Sequence, residues 1–320
     1  MEIAVTAEKT LIRQDTLHRS EGFWGSAFRR MRKNKVAMAS AMFIIALALI
    51  AIVVPEFYHL NYAHQDYSAV TQGPSWDHPM GTDQLGRDIM IRMIFGARIS
   101  LTVGIVVQTV ILAIGVPAGL LAGYAGGKTD TLIMRTVDVL YALPSLLFVI
   151  IIMTFLRGTL SGEPGGLWRP ITWVDSRTGG LMGVYLGLGM IGWLTVSRIV
   201  RANTMSLKER EFSEAARALG ANRSRIMFRH LLPNTVAAIV VAATLGIPSA
   251  ILSEAGISFL GLGVIPPMPS WGLMISEAIP NMRAHPHMLI FPAALLSITV
   301  LAFNFLGDGL RDALDPWMKR

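Results

Sequence analysis

The chain has 320 residues, of which 52% are hydrophobic and only 15% charged, with a mean hydropathy of +0.51 and a net charge of +7. A water-soluble domain carries about a quarter charged residues, so much of this surface is expected to face lipid. The lack of cysteine excludes disulfides, thiolate metal sites and cysteine nucleophiles.

Residues 1–35 are polar and end in a basic cluster of Arg29, Arg30, Arg32, Lys33 and Lys35. The uncharged stretch 36–54, closed by Pro55, is long enough at ~1.5 Å per residue to cross a hydrocarbon core of roughly 30 Å. A cleaved signal peptide is the competing reading. It fits poorly, because both the apolar core and the leader before it are too long and no small-x-small site follows. Five further spans are predicted at 99–122, 131–156, 182–200, 234–252 and 288–306. Pro117, Pro144, Pro248 and Pro292 fall inside four of them, which spanning helices tolerate because neighbouring helices re-satisfy the freed backbone groups. The expectation is an all-α polytopic membrane protein with six transmembrane helices. It has a polar segment at 1–35, a helical domain over 36–306 and a tail at 307–320.

With the N-terminus inside, 21 of the 28 lysines and arginines lie on cytoplasmic segments and 7 on the opposite side. This bias predicts that both termini face the cytoplasm. It also accounts for the net charge by topology and attraction to anionic lipid, so no nucleic-acid partner is needed.

Signs of a motor or a catalyst are thin. AGYAGGKT at 122–129 is a near miss to a phosphate-binding loop, with Ala122 where the pattern needs glycine, and it leaves a membrane helix rather than a strand. ATP hydrolysis is therefore expected in another protein. His285 and His287 form a lone HxH pair, which a metal would need a third ligand to use. No HExxH or GxSxG occurs. Asp138 is the one acidic residue within a predicted span. It is expected to pair with Arg135 at i, i+3 or to meet a neighbouring helix. Gly115, Gly119 and Gly123, four residues apart, predict a close helix contact, within this chain or with another subunit.

The segment 201–233 is helix-forming, yet too charged to enter lipid. Ala215, Ala216 and Leu219 are expected to form a small apolar face, with Glu214 and Arg217 beside it. Gly220 suits the position just past a helix end, and Asn222 suits the cap of a second short helix stopping before Pro233. A helix–glycine–helix elbow of this kind fits a partner's groove, although amphipathic elbows also lie on membrane surfaces.

These residues resemble the EAA loop of ABC-importer permeases, with EAA at Glu214, Ala215 and Ala216, then Gly220, then Leu232 and Pro233. His230 replaces the isoleucine usual in that pattern. HPMGTDQLGRDIMIRMIFGARISL (78–101), SFLGLGVIPPMPSWGLMISEA (258–278) and FNFLGDGLRDALDPWMKR (303–320) resemble the dipeptide/oligopeptide/nickel branch, C-type subunit. The resemblance spans roughly 25–320. It implies a type I permease fold in the cell inner membrane, with the elbow coupling this chain to separate ATPases. It further implies a sister permease, two ATP-binding subunits that hold ATP and Mg, and an extracytoplasmic binding protein. No cofactor is expected in this chain. The segment 157–181 is longer than usual for the branch and reads as a neutral insertion, with contact to the binding protein as the alternative. An ion-gradient-driven transporter acting without ATPases is the alternative function, but neither inverted repeats nor midplane charges are visible.

Overall fold

A computed structural model describes residues 23–160 and 169–314. Most of the leader, residues 161–168 of the long loop and the last six residues lie outside them. The described residues are helical apart from connecting loops, with one isolated bridge between Thr82 and Asp88. In chain order the helices are α1 Phe23–Lys33, α2 Lys35–Phe57, α3 Ile89–Ala125, α4 Gly127–Tyr141, α5 Ser145–Leu160 and α6 Arg169–Arg177. They continue with α7 Met182–Lys208, α8 Glu211–Ala218, α9 Leu232–Phe259, α10 Trp271–Ala278 and α11 His287–Leu314.

Five helices, α2, α3, α7, α9 and α11, are long and apolar enough to span a membrane. The remaining predicted span, 131–156, is α4 and α5 together, which meet at a bend of 89°. The sequence reading expected one helix over 131–156. The structure corrects it, because Pro144 has no N–H to donate and disfavours helical geometry in Leu143, so the chain turns there. Pro117, Pro248 and Pro292 do stay inside their helices. So does Pro55, and α2 runs on to Phe57 rather than closing at that proline.

Helix starts have local chemical causes. Asn34 Oδ1 accepts from Ala37 N at 3.1 Å to cap α2, and Asp88 Oδ1 accepts from Ile91 N at 2.9 Å to cap α3. The Asp88 cap starts α3 ten residues before its predicted onset at 99, within what reads as a polar loop. Met42, Ile45, Leu49 and Ile52 on one flank of α2 are exposed and apolar, as a lipid-facing stripe requires.

Two cores hold the bundle. In the larger, Val103, Val107 and Ile111 of α3 pack with Val149 of α5, Val184, Val196 and Val200 of α7, and Ala250 and Ile257 of α9. In the second, Leu47 and Ala51 of α2 meet Leu101, Ile251, Trp271, Leu296 and Phe303. In lipid, packing contacts rather than water exclusion drive such association, so close approach counts most. The glycine prediction is met inside the chain. A β-carbon on Gly115 would lie 2.9 Å from Trp193 O, and one on Gly123 would lie 2.8 Å from Arg201 O, so the partner helix is α7.

A folded cap covers one end of the bundle. Asp83 Oδ2 accepts from Arg87 Nε at 2.6 Å and from Arg92 Nη1, while Glu277 Oε2 lies 3.1 Å from Arg87 Nη2 and 2.8 Å from Arg92 Nη2. Both guanidiniums are buried, and two carboxylates balance them. The network fastens the 82–92 motif to α10. The Trp271 indole N–H then donates to Met93 O at 3.2 Å.

Candidate functional site

The charged elbow follows directly after α7. Helix α8 ends in a Schellman motif, with Ala221 N–H donating to Ala216 O at 3.0 Å and Gly220 N–H to Arg217 O at 2.9 Å. Gly220 sits at φ +80°, a left-handed conformation that glycine adopts without steric cost. Asn222 Oδ1 accepts from Arg225 N at 2.7 Å, so the expected second cap is present.

The second helix does not stop before Pro233. It passes through a π turn, Ile226–Leu231, and runs on as α9, one continuous helical stretch over Arg223–Phe259. Pro233 sits in the first turn of α9, and the widened turn before it makes room for a ring that has no N–H to offer the carbonyl four residues back. A rigid arm therefore joins the elbow to a membrane span.

The apolar face is divided. Ala216 is buried in a small core with Ile226 and Leu231, against Tyr124, Leu207, Ala221 and Met227. Ala215 and Glu214 are exposed, and Leu219 is 88% exposed. The sequence placed Ala216 and Leu219 on one face, whereas the structure buries one and exposes the other: Ala216 holds the elbow together and Leu219 projects. Leu232 is half-buried and Pro233 exposed at the foot of α9, apart from the tip.

The elbow is tied to the bundle at several points. Ser213 Oγ donates to Leu207 O at 2.9 Å, Arg217 Nη2 to Lys208 O at 2.8 Å, and Lys208 Nζ to Tyr124 O at 2.7 Å. Just beyond, Arg201 grips Asp130 with both Nε and Nη2 at 2.5 Å, a bidentate clamp of α7 on α4.

Asp138 corrects one expectation and meets its alternative. Its carboxylate accepts from Arg198 Nη2 of α7 at 2.6 Å, rather than from Arg135. The Arg198 guanidinium also lies over the Tyr141 ring at 4.3 Å, and Tyr141 Oη meets Thr195 Oγ1 at 2.6 Å. Asp138 therefore joins the last turn of α4 to α7 just before the bend.

Between α3, α5, α7 and α9 lies a cavity of about 750 Å³. It falls within the roughly 300–1,000 Å³ typical of ligand sites. Its wall is mostly aliphatic, with no acidic, basic or histidine side chain. Thr195, Ser249 and Ser253 at its edge are exposed, so it is an open groove rather than a sealed void.

Sequence reasoning missed Glu254. Placed in a loop because the fifth span was ended at 252, it is fully buried in α9. Ser258 Oγ donates to Glu254 Oε1 at 2.6 Å and Ser100 Oγ to Oε2 at 3.3 Å. Ser258 Oγ in turn accepts from Val264 N at 3.2 Å, joining α9 to the loop beyond it. The signal available in the sequence was Ser258, one helical turn after Glu254 in an otherwise uncharged run.

Comparison with known proteins adds the following. A family model described as binding-protein-dependent transport system inner membrane component matches residues 115–320. A second, the N-terminal TM domain of oligopeptide transport permease C, matches residues 22–74. The oligopeptide transport system permease protein OppC of Bacillus subtilis (strain 168) is 40% identical over 302 residues, covering 94% of this chain and 92% of the relative. The dipeptide transport system permease protein DppC of the same organism is 41% identical, covering 92% and 86%. The glutathione transport system permease protein GsiD of Escherichia coli O6:K15:H31 is 42% identical, covering 92% and 91%. Among solved structures, an inward-facing conformation of the MetNI methionine ABC transporter matches with a TM-score of 0.55 at 20% identity, over 71% of this chain and 98% of that one.

Proposed function

The chain belongs to the family of inner-membrane components of binding-protein-dependent transport systems and is a permease subunit of an ABC importer; on that premise we propose that it forms half of a pathway for peptides, driven by ATP hydrolysed in partner subunits. Peptide cargo is supported by the relatives named for oligopeptide, dipeptide and glutathione transport, all of which share the peptide amide. The proposed assembly is this chain, a homologous sister permease, two ATP-binding subunits that bind ATP and Mg, and an extracytoplasmic binding protein. Both termini face the cytoplasm, in keeping with the lysine and arginine bias, so the elbow reaches the ATPases.

In this reading Glu214, Ala215, Ala216, Gly220, Leu232 and Pro233 form the ATPase-coupling loop, with Glu214 and Ala215 exposed and Ala216 bracing the elbow from within. The observation that carries it is the division of the elbow: a braced inner side around Ala216 and a projecting Leu219. A partner that grips the tip moves α7 and α9 together, because the braces join the elbow to the ends of both helices. ATP binding biases the bundle only to the extent that the two packings differ in free energy at this interface.

The test is to extract the tagged chain gently from native membranes, identify what co-purifies, and reconstitute it with its binding protein for peptide uptake. Two ATPases, one homologous permease and ATP-dependent peptide uptake are expected. A chain that purifies alone and takes up cargo on an ion gradient would remove the importer assembly.

A further inference from the structure

We propose that the carboxamide of Gln108 holds a peptide group of the cargo inside the 750 Å³ cavity, as a specificity-determining contact. This rests on the reading of the chain as a peptide permease.

Gln108 lines the cavity from α3 and is only 4% exposed, and its Nε2 is enclosed without a hydrogen-bond partner. A buried amide donor left unmade is costly, so it calls for a role. Helix α9 leaves room for it: a β-carbon on Gly246 would lie 2.1 Å from Gln108 Oε1 and 2.9 Å from Nε2. No residue of the wall, Val107 and Ile111 included, hydrogen-bonds it.

Of the four hydroxyl side chains in the wall, Ser145 is exposed and the other three already have a partner. Ser249 Oγ donates to Leu245 O, Ser253 Oγ to Ser249 O, and Thr195 is paired with Tyr141. With no charged side chain in the wall, cargo side-chain charge finds no partner there. The enclosed side-chain group without a partner there is the Gln108 amide, and its match is a group with one N–H and one C=O. Every peptide carries that group whatever its sequence, so the contact selects for peptide character and tolerates varied side chains. Gln108 is reached when α9 separates from α3, because the two helices now close over its amide.

The alternative role is a wedge that merely spaces α3 from α9. Gln108→Met keeps the length and bulk of the wedge and removes the amide. The probes are trialanine and its analogue with one peptide N–H replaced by an ester oxygen, taken up by the complete importer reconstituted in liposomes with its binding protein. The expectation is that Gln108→Met lowers trialanine uptake about tenfold and reduces the preference for amide over ester to that of the binding protein alone. A wedge would leave that preference unchanged. Uptake within twofold of the unaltered importer with the same preference overturns the proposal. No trialanine uptake by the unaltered importer overturns the peptide reading and this one with it. If Gln108→Met fails to assemble, a diazirine-bearing tripeptide photolysed in the unaltered importer decides the matter: labelling of the segment carrying Gln108 supports the contact, and its absence overturns it.

Discussion

Gly119 of α3 faces Ser197 of α7 so closely that a β-carbon on the glycine would lie 2.5 Å from the Ser197 carbonyl oxygen. It would also lie 2.7 Å from Val200 Cβ, so neither backbone nor side chain has space to give. Gly119→Leu is therefore expected to cost about 3 kcal/mol or more, and Gly119→Ala less. Size-exclusion profiles and melting of the detergent-extracted chain measure this. Wild-type stability for the leucine variant would mean that the two helices are not locked at this point.

At the elbow, Leu219→Glu alters an exposed tip and Gly220→Pro demands φ near −65° where the chain has +80°. Both are expected to leave the spans inserted, with Leu219→Glu within about 0.5 kcal/mol of wild-type stability. Cargo-stimulated ATP hydrolysis by the assembled importer should fall at least about tenfold, the effect of roughly 1.4 kcal/mol lost at the interface. Normal stimulation in both variants would remove the elbow from the coupling route.

Glu254 is held by hydroxyl groups, with Ser100 and Ser258 donating to it. Glu254→Gln keeps the shape and an acceptor oxygen, so its cost should stay below about 1 kcal/mol. Glu254→Leu leaves buried hydroxyls without their acceptor and should cost about 2 kcal/mol. Comparing the melting temperatures of the two purified variants checks the order, and equal losses would contradict it.

Arg92 and Arg87 share Asp83 and Glu277 in the cap. Arg92→Met strips one cation from this buried network and leaves excess negative charge, at an expected cost of about 3–5 kcal/mol. Exposed pairs behave differently. Asp138→Asn, which loses a half-exposed partner of Arg198, should cost less than about 1 kcal/mol. Thermal unfolding of both variants in detergent tests the contrast. A larger loss for Asp138→Asn would reverse the assigned importance of the two sites.

What was legible in the sequence follows from short-range chemistry. Apolar runs at 36–54, 182–200 and 288–306 mark α2, α7 and α11, because a stretch of that length with at most one charged residue can cross a membrane. Gly220 and Asn222 marked the elbow's turn, since a left-handed position and a helix cap are set by one or two residues. The EAA pattern located the elbow but not its faces.

Tertiary structure decided the rest, wherever the partner of a residue lies far along the chain. Periodicity placed Ala216 and Leu219 on one face, but packing against Ile226 and Leu231 turned one inward and left the other exposed. Local spacing paired Asp138 with Arg135, while the packing of α4 on α7 gave it to Arg198, sixty residues on. Glu254 looked like a loop residue until Ser100, 154 residues away, reached it. By itself the sequence determined which segments are long and apolar enough to cross a membrane and where the elbow turns, because those depend on composition and backbone geometry at the residue. Which side chains meet, and which are left exposed or without a partner, was decided only when the helices packed, because each such contact joins residues whose separation along the chain carries no record of it.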